Sequence, residues 1–378
     1  MMKKIMFLLI FVLFFVQVIS AEENVQGQIN DYISDEMQGF KDSLPEYVTD
    51  FVPNEVFEGD FSSLTNGEIN QGTFIDYVID YILFLTPSVV KGFSSLLILV
   101  LLISIFNLLK NSFSSEGLKN AFSCCASLSL CVSVFTIVNG IIDTSVSYIT
   151  TLCDTMNTFA PVMSAMYIMT GSISSAAVSN ASMMLFLSIV ENFIVIALAP
   201  IIKICLCFSV VGSVSGGIDL SEGSKMIKNT FTGICVFIMS IFSFVMSYQG
   251  VLSQSADTLT MRTARFAVGN FIPIVGGFVG ESLKTISSSL SFVKSSCGVV
   301  AIIVIVLITL PVIVSLLLYR LSFGIISTTT KILGIGSEAK CCDEAGTLCS
   351  FILAILCLTF IVFIFALTIF IKSSGGMS

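Results

Sequence analysis

An all-α, polytopic membrane protein is the fold class this sequence predicts, and three observations predict it. Of 378 residues, 55% are hydrophobic and only 11% charged, with mean hydropathy +1.00, more apolar surface than a soluble fold can hide. The apolar residues run in long continuous blocks, whereas a transmembrane barrel alternates over short strands. Six of these blocks approach the ~20 residues that a helix needs to cross a bilayer. They are Phe93–Leu109, Ala121–Ile142, Ala181–Ile202, Thr230–Tyr248, Cys297–Tyr319 and Thr347–Ile371.

The N-terminus, MMKKIMFLLIFVLFFVQVISAEE, places Lys3 and Lys4 before an apolar run from Ile5 to Val18, followed by Ser20 and Ala21. This reads as a signal peptide over residues 1–21, with an uncleaved first span as the alternative. Either way the next segment lies outside the cytoplasm. Between Glu22 and Ile82 there are fourteen acidic residues and one base, Lys41, while residues 83–378 carry eleven acids and fourteen bases. The net charge of −8 therefore belongs to a small exported domain (22–82), and nothing points to nucleic-acid binding. In that domain Val25, Ile29, Ile33, Met37, Phe40 and Leu44 form one helical apolar stripe ending at Pro45. A second stripe, Phe74, Ile75, Val78 and Ile82, runs into the first span. So small a core is expected to dock on the membrane region or on a partner.

The polytopic domain is residues 83–378. Placing loops 110–120, 203–229 and 320–346 in the cytoplasm gives them Lys110, Lys119, Lys203, Lys225, Lys228, Arg320, Lys331 and Lys340. Loop 143–180 then holds no base, whereas loop 249–296 holds Arg262, Arg265, Lys284 and Lys294. The positive-inside rule so supports six spans with both ends outside.

A parallel internal repeat underlies these spans. SEGLKNAFS at Ser115 returns as SEGSKMIKNTFT at Ser221 and as SEAKCCDEAGT at Ser337. Pro87, Pro200 and Pro311 recur at intervals of 113 and 111, and Pro161 and Pro273 are 112 apart. The units are about 87–199, 200–310 and 311–371. Each reads as a Pro-bearing helix, an inner SE(G/A) loop and a second helix; the first two add an outer amphipathic stretch and a short broken segment. Val146, Ile149, Cys153 and Met156 mark the first amphipathic stretch, and Leu252, Ala256 and Leu259 the second.

The broken segments are apolar yet interrupted by Pro161 in the first and by Pro273, Gly276, Gly277 and Gly280 in the second. They are expected to be re-entrant-like, with Asn270, Pro273, Gly276, Gly277, Gly280 and Pro161 as a pore-lining or bracing element; a tight structural corner is the equal alternative. Arg262 and Arg265 are read as interfacial anchors. Glu191, ten residues into the third span, is a polar intramembrane candidate, either functional or hydrogen-bonded to Asn192 or a nearby Ser. Asp143 and Asp154 are read as solvated loop residues.

Catalysis is not expected. The chain has no histidine, which excludes HExxH zinc proteases and Ser-His intramembrane proteases, and it carries no P-loop or GxGxxG. Its twelve cysteines lack zinc spacing and read as small buried apolar residues, so no metal or cofactor is assigned. The lipid bilayer is the one partner that composition gives, and homo-oligomerisation is left open.

Together, the signal, the acidic ectodomain, the SEG-K loops and ARFAVGNFIPIVGG followed by ESLKTISSSLSFVKSSCGVVAII resemble the stage III sporulation protein AE family of endospore-forming bacteria. The resemblance covers nearly the whole chain and is most specific from Ala264 to Lys294. It implies a mother-cell membrane subunit of the channel complex between mother cell and forespore, with the other stage III subunits and a forespore-side protein as partners. It carries over no catalytic residue. A stand-alone secondary transporter and a non-conducting scaffold are the alternatives that the residues leave open.

Overall fold

The computed structural model describes residues 34–58, 71–109, 115–215, 221–271 and 276–372. The signal sequence and Pro273 lie outside the described residues, as do the side chains of 264–289, which include Arg265 and Asn270. The described secondary structure is entirely helical. Residues 34–42 form α1, followed by α2 (Glu46–Thr49) and α3 (Asn54–Phe57). Six long helical rods follow: α4 (Gln71–Leu109), α5 (Glu116–Met169), α6 (Ile173–Ile189) continued through a π-helical turn (Val190–Val195) into α7 (Ile196–Ser215), α8 (Ser221–Phe271), α9 (Gly276–Ile332) and α10 (Gly336–Lys372). Each contains a stretch long and apolar enough to cross a membrane, and each overlaps one of the six expected spans.

The rods pair as three hairpins, α4–α5, α6/α7–α8 and α9–α10. In each, the first partner carries the repeated proline, Pro87, Pro200 or Pro311. Each second partner starts at an SE(G/A) motif, with Glu116, Glu222 or Glu338 in its first turn. Carboxylates there face the positive end of the helix dipole, so the motif does helix-starting work. It is a helix N-terminus rather than a loop.

The segment at Pro161 differs from the expected short broken one. Pro161 sits inside α5 on an exposed face, and the helix continues to Met169. Proline removes one backbone bond and crowds the preceding turn, which a helix packed along its length tolerates. What ends α5 is glycine. Gly171 has φ +77°, Ser172 N–H bonds Tyr167 C=O at 2.8 Å, and Gly171 N–H bonds Ile168 C=O at 2.9 Å. That bond pair closes a helix through a left-handed residue. Gly334, φ +76°, ends α9 the same way, with Ile335 N–H on Thr330 C=O at 3.1 Å. The two turns lie at opposite ends of the bundle, here termed upper (Gly171) and lower (Gly334).

The hairpin α9–α10 forms the centre, and Val304, Ile305, Ile308, Ile352, Ile355 and Phe363 are buried there. The N-terminal helices dock along the upper half of the bundle. Met37, Phe40 and Leu44 are buried, and the Phe40 and Phe159 rings are 5.0 Å apart. Lys41, the lone base of this acidic region, donates to Asn54 Oδ1 at 2.7 Å and lies over the Phe57 ring, so it ties α1 to α3. Of the two amphipathic stretches, the first packs its stripe inward, with Ile149, Cys153 and Met156 buried. The second turns its apolar residues outward. Leu252 and Leu259 are exposed, and Ser253 and Asp257 are buried in their place.

Candidate functional site: two buried polar layers

Apolar helices concentrate their informative chemistry where polar side chains are buried, because each such group must find a partner. Two layers of this kind bracket the apolar part of the bundle.

The upper layer centres on Lys294 of α9, which is fully buried. Its ammonium lies 3.9 Å from the centre of the Tyr167 ring and 5.0 Å from that of Phe370. The rings of Tyr167 and Phe370 meet edge-on at 5.2 Å, and Phe370 in turn meets Phe159 at 6.1 Å. Negative ring faces attract the cation, more strongly out of water. Within electrostatic range of Lys294 is Asp257 of α8, 6% exposed. Its two oxygens accept the backbone N–H groups of Ser174 and Ser175, each at 3.0 Å, and the Ser175 hydroxyl at 2.6 Å. Ser172, at the head of α6, makes no side-chain cap. A carboxylate from another helix therefore caps α6, satisfying amides that its own sequence leaves bare. Beside this lies a cavity of about 20 Å³, lined by Tyr167, Ser175, Ser182, Gln249 and Ser253 among others. Such a space suits a single water.

The lower layer is built from the third SE(G/A) motif. Glu344 pairs with Lys228 at 2.7 Å, both side chains nearly buried, and accepts the Ser224 hydroxyl. Lys228 also reaches Thr347 at 2.9 Å. Glu338 accepts Ser127 at 2.7 Å, and Asp343 takes Ser327 and Lys331, each at 2.5 Å. Three acids of one short motif thus bind α5, α8 and α9 to α10. Ser327 is 33 residues past Lys294 on α9 (327 − 294), about 50 Å at 1.5 Å per residue. The two layers therefore stand further apart than the ~30 Å thickness of a bilayer's hydrocarbon core.

Glu191 lies between the layers, half-buried in the π-helical turn. Asn192 donates to the Ser188 carbonyl at 2.8 Å. A π turn widens the helix by one residue and often marks a functional position; here it comes just before Pro200. The other expected site residues are dispersed. Pro161 is on the exposed face of α5, Arg262 is exposed on α8, and Gly276, Gly277 and Gly280 occupy the first turns of α9. Asp143 and Asp154 are not in a loop but in the middle of α5. Among the described residues, no three Cys, Asp or Glu side chains converge on a metal position, and the Cys131 and Cys341 sulfur atoms lie 3.7 Å apart.

Sequence reasoning passed over Lys294 and Asp257, counting the first only as an awkward base in an outer loop. The available signal was Lys294 set in SFVKSSCGVV, three residues before an expected apolar span, with Gly298 one turn later where α10 comes close.

A sequence model of the stage III sporulation protein AE family (spore_III_AE) matches residues 57–374, which contain both layers and all six apolar helices. Stage III sporulation protein AE of Bacillus subtilis (strain 168) is 23% identical over 290 residues, 75% of this chain and 71% of that protein. No solved structure matches the chain. With more than three quarters of its length inside the family match, the chain belongs to the stage III sporulation protein AE family.

Proposed function

We propose that this protein is an integral membrane subunit of the channel complex joining mother cell and forespore, made in the mother cell and required for forespore development after engulfment. Family membership is the observation that carries this reading, and the six apolar helices support the membrane placement. The charge asymmetry of the loops supports the further reading that the upper end, with the acidic N-terminal domain, faces the space between the two membranes. There the other subunits and the forespore-side partner meet it. The protein acts by assembly rather than catalysis, and the segments around Pro161 and Pro273 line or brace an opening on that face.

The test is deletion of the gene in its sporulating host, with microscopy of engulfed forespores and a late forespore reporter. Forespores that shrink and stay dark, rescued by expression in the mother cell alone, are the expected result; normal spores remove the reading. Joint replacement of Pro273, Gly276 and Gly277 is expected to block sporulation while membrane insertion persists. Normal sporulation in that variant refutes the pore-bracing role alone. A stand-alone permease is the second reading, favoured by Glu191 in its π turn; it predicts solute movement by the purified protein without partners.

A further inference from the structure

The upper half of α5 has two unlike faces. Ile141, Tyr148, Ile149, Leu152 and Met156 are buried against the bundle. On the other side Gly140, Asp143, Thr144, Ser147, Thr151 and Asp154 recur at three- and four-residue spacing, exposed or half-exposed. Part of this polar face forms one wall of an open groove of about 530 Å³. Asp143, Thr144, Ser147 and Thr151 line it from α5, Ile308 and Val312 from α9, and Pro45 and Tyr47 from the N-terminal domain.

Depth makes the groove unusual. The Tyr148 and Thr309 hydroxyls are hydrogen-bonded at 2.8 Å, which fixes the groove's level against α9. Thr309 is 15 residues from Lys294 (309 − 294) and 18 from Ser327 (327 − 309), midway between the two polar layers. It belongs to one of the most apolar spans of the chain, mean hydropathy 3.2. A carboxylate and three hydroxyl side chains at that depth are costly against hydrocarbon and are tolerated where they meet water or protein. Along the α5 wall the charge has one sign: no Lys or Arg occurs between Lys119 and Lys203, and Glu46, between Pro45 and Tyr47, is acidic too. The nearest bases on the other lining elements are Lys41, four residues before Pro45, and Arg320, eight past Val312.

We infer that this groove is a water-filled crevice reaching mid-depth from the N-terminal-domain end, and that its polar wall on α5 admits water and small cations while disfavouring anions. Its low-dielectric walls focus the field of Asp143, which raises the local concentration of cations. This inference stands apart from the sporulation role and holds for the chain by itself.

Single cysteines at Thr144, Ser147 and Thr151 test it in the full chain, after the exposed Cys124, Cys125 and Cys207 are replaced by Ser. The protein is reconstituted in liposomes with a charged thiosulfonate reagent on both sides, cationic or anionic. T144C, S147C and T151C are expected to label, roughly tenfold faster with the cationic reagent, and D143N is expected to remove most of that bias. L185C and F244C, on outward apolar faces, are expected to stay unlabelled. Unreactive groove positions in protein that elutes as a single species overturn the crevice. Labelling at equal rates by the two reagents overturns its preference for cations.

Discussion

The Lys294 ammonium stands 3.9 Å above the Tyr167 ring, joining the upper part of α9 to the last turn of α5 at full burial. The worth of this contact is a coupling between two residues, and single replacements do not isolate it. Lys294→Met sheds both the ring attraction and the cost of burying a charge, and these oppose each other. A double-mutant cycle with Tyr167→Leu removes the shared background. A coupling of about 1–2 kcal/mol is expected from thermal unfolding in detergent. A coupling near zero would show that the two side chains are neighbours and nothing more.

Asp257 holds the start of α6 from a distance of 82 residues in sequence. Asp257→Ala is expected to cost about 1–2 kcal/mol, the range of a lost helix cap. Hydrogen exchange supplies the specific readout, with amides 174 and 175 exchanging faster in the variant while those of α9 keep their protection. Unchanged exchange at 174 and 175 would remove the cap.

At Gly298 α9 comes close to the end of α10. A Cβ built there would overlap the Ile371 side chain and lie 3.3 Å from Phe370 Cδ1, whereas one built at Gly233 meets nothing within 4 Å. Gly298→Ala is therefore expected to destabilise by about 1–3 kcal/mol through overpacking. Gly233→Ala is expected to stabilise by up to about 1 kcal/mol through helix propensity. Equal melting shifts for the two variants would refute the close approach.

In the lower layer the two lysine–carboxylate pairs differ in burial. Glu344→Ala strands Lys228 in a site where both side chains were nearly buried, and a loss of about 3–5 kcal/mol is expected. Lys331→Ala breaks a pair whose side chains are about half exposed, and less than about 1 kcal/mol is expected. A lower layer that is merely decorative predicts the same small loss for both.

The spans were legible because hydrophobicity over some twenty residues is a local property, and all six recur within the long helices. The prolines were harder to interpret. Pro161 looks like a break in one dimension, but Gly171 sets the end of α5, and that depends on a backbone turn that the proline does not signal. The orientation of the second amphipathic stretch was not legible in its own residues. Leu252 and Leu259 are exposed, and Asp257 is buried where it caps the open N-terminus of α6, with Ser253 buried one turn earlier and bonded to its own helix. Partners far apart in sequence decided that orientation. The SE(G/A) repeat was visible as a pattern, while its use as a helix start and, in the third copy, as a source of carboxylates required the packing of α10 against α5, α8 and α9.

That packing sets an order for biogenesis. Lys228 is synthesised 116 residues before Glu344, so it waits for its acid, whereas Lys294 finds Tyr167 and Asp257 already made and gains the Phe370 ring only later. The final hairpin is the part of the nascent chain that completes both ends of the bundle. Until it leaves the ribosome the lower layer lacks its carboxylates, and a stop codon upstream of Glu338 is expected to leave Lys228 and Ser127 without the acids that hold them.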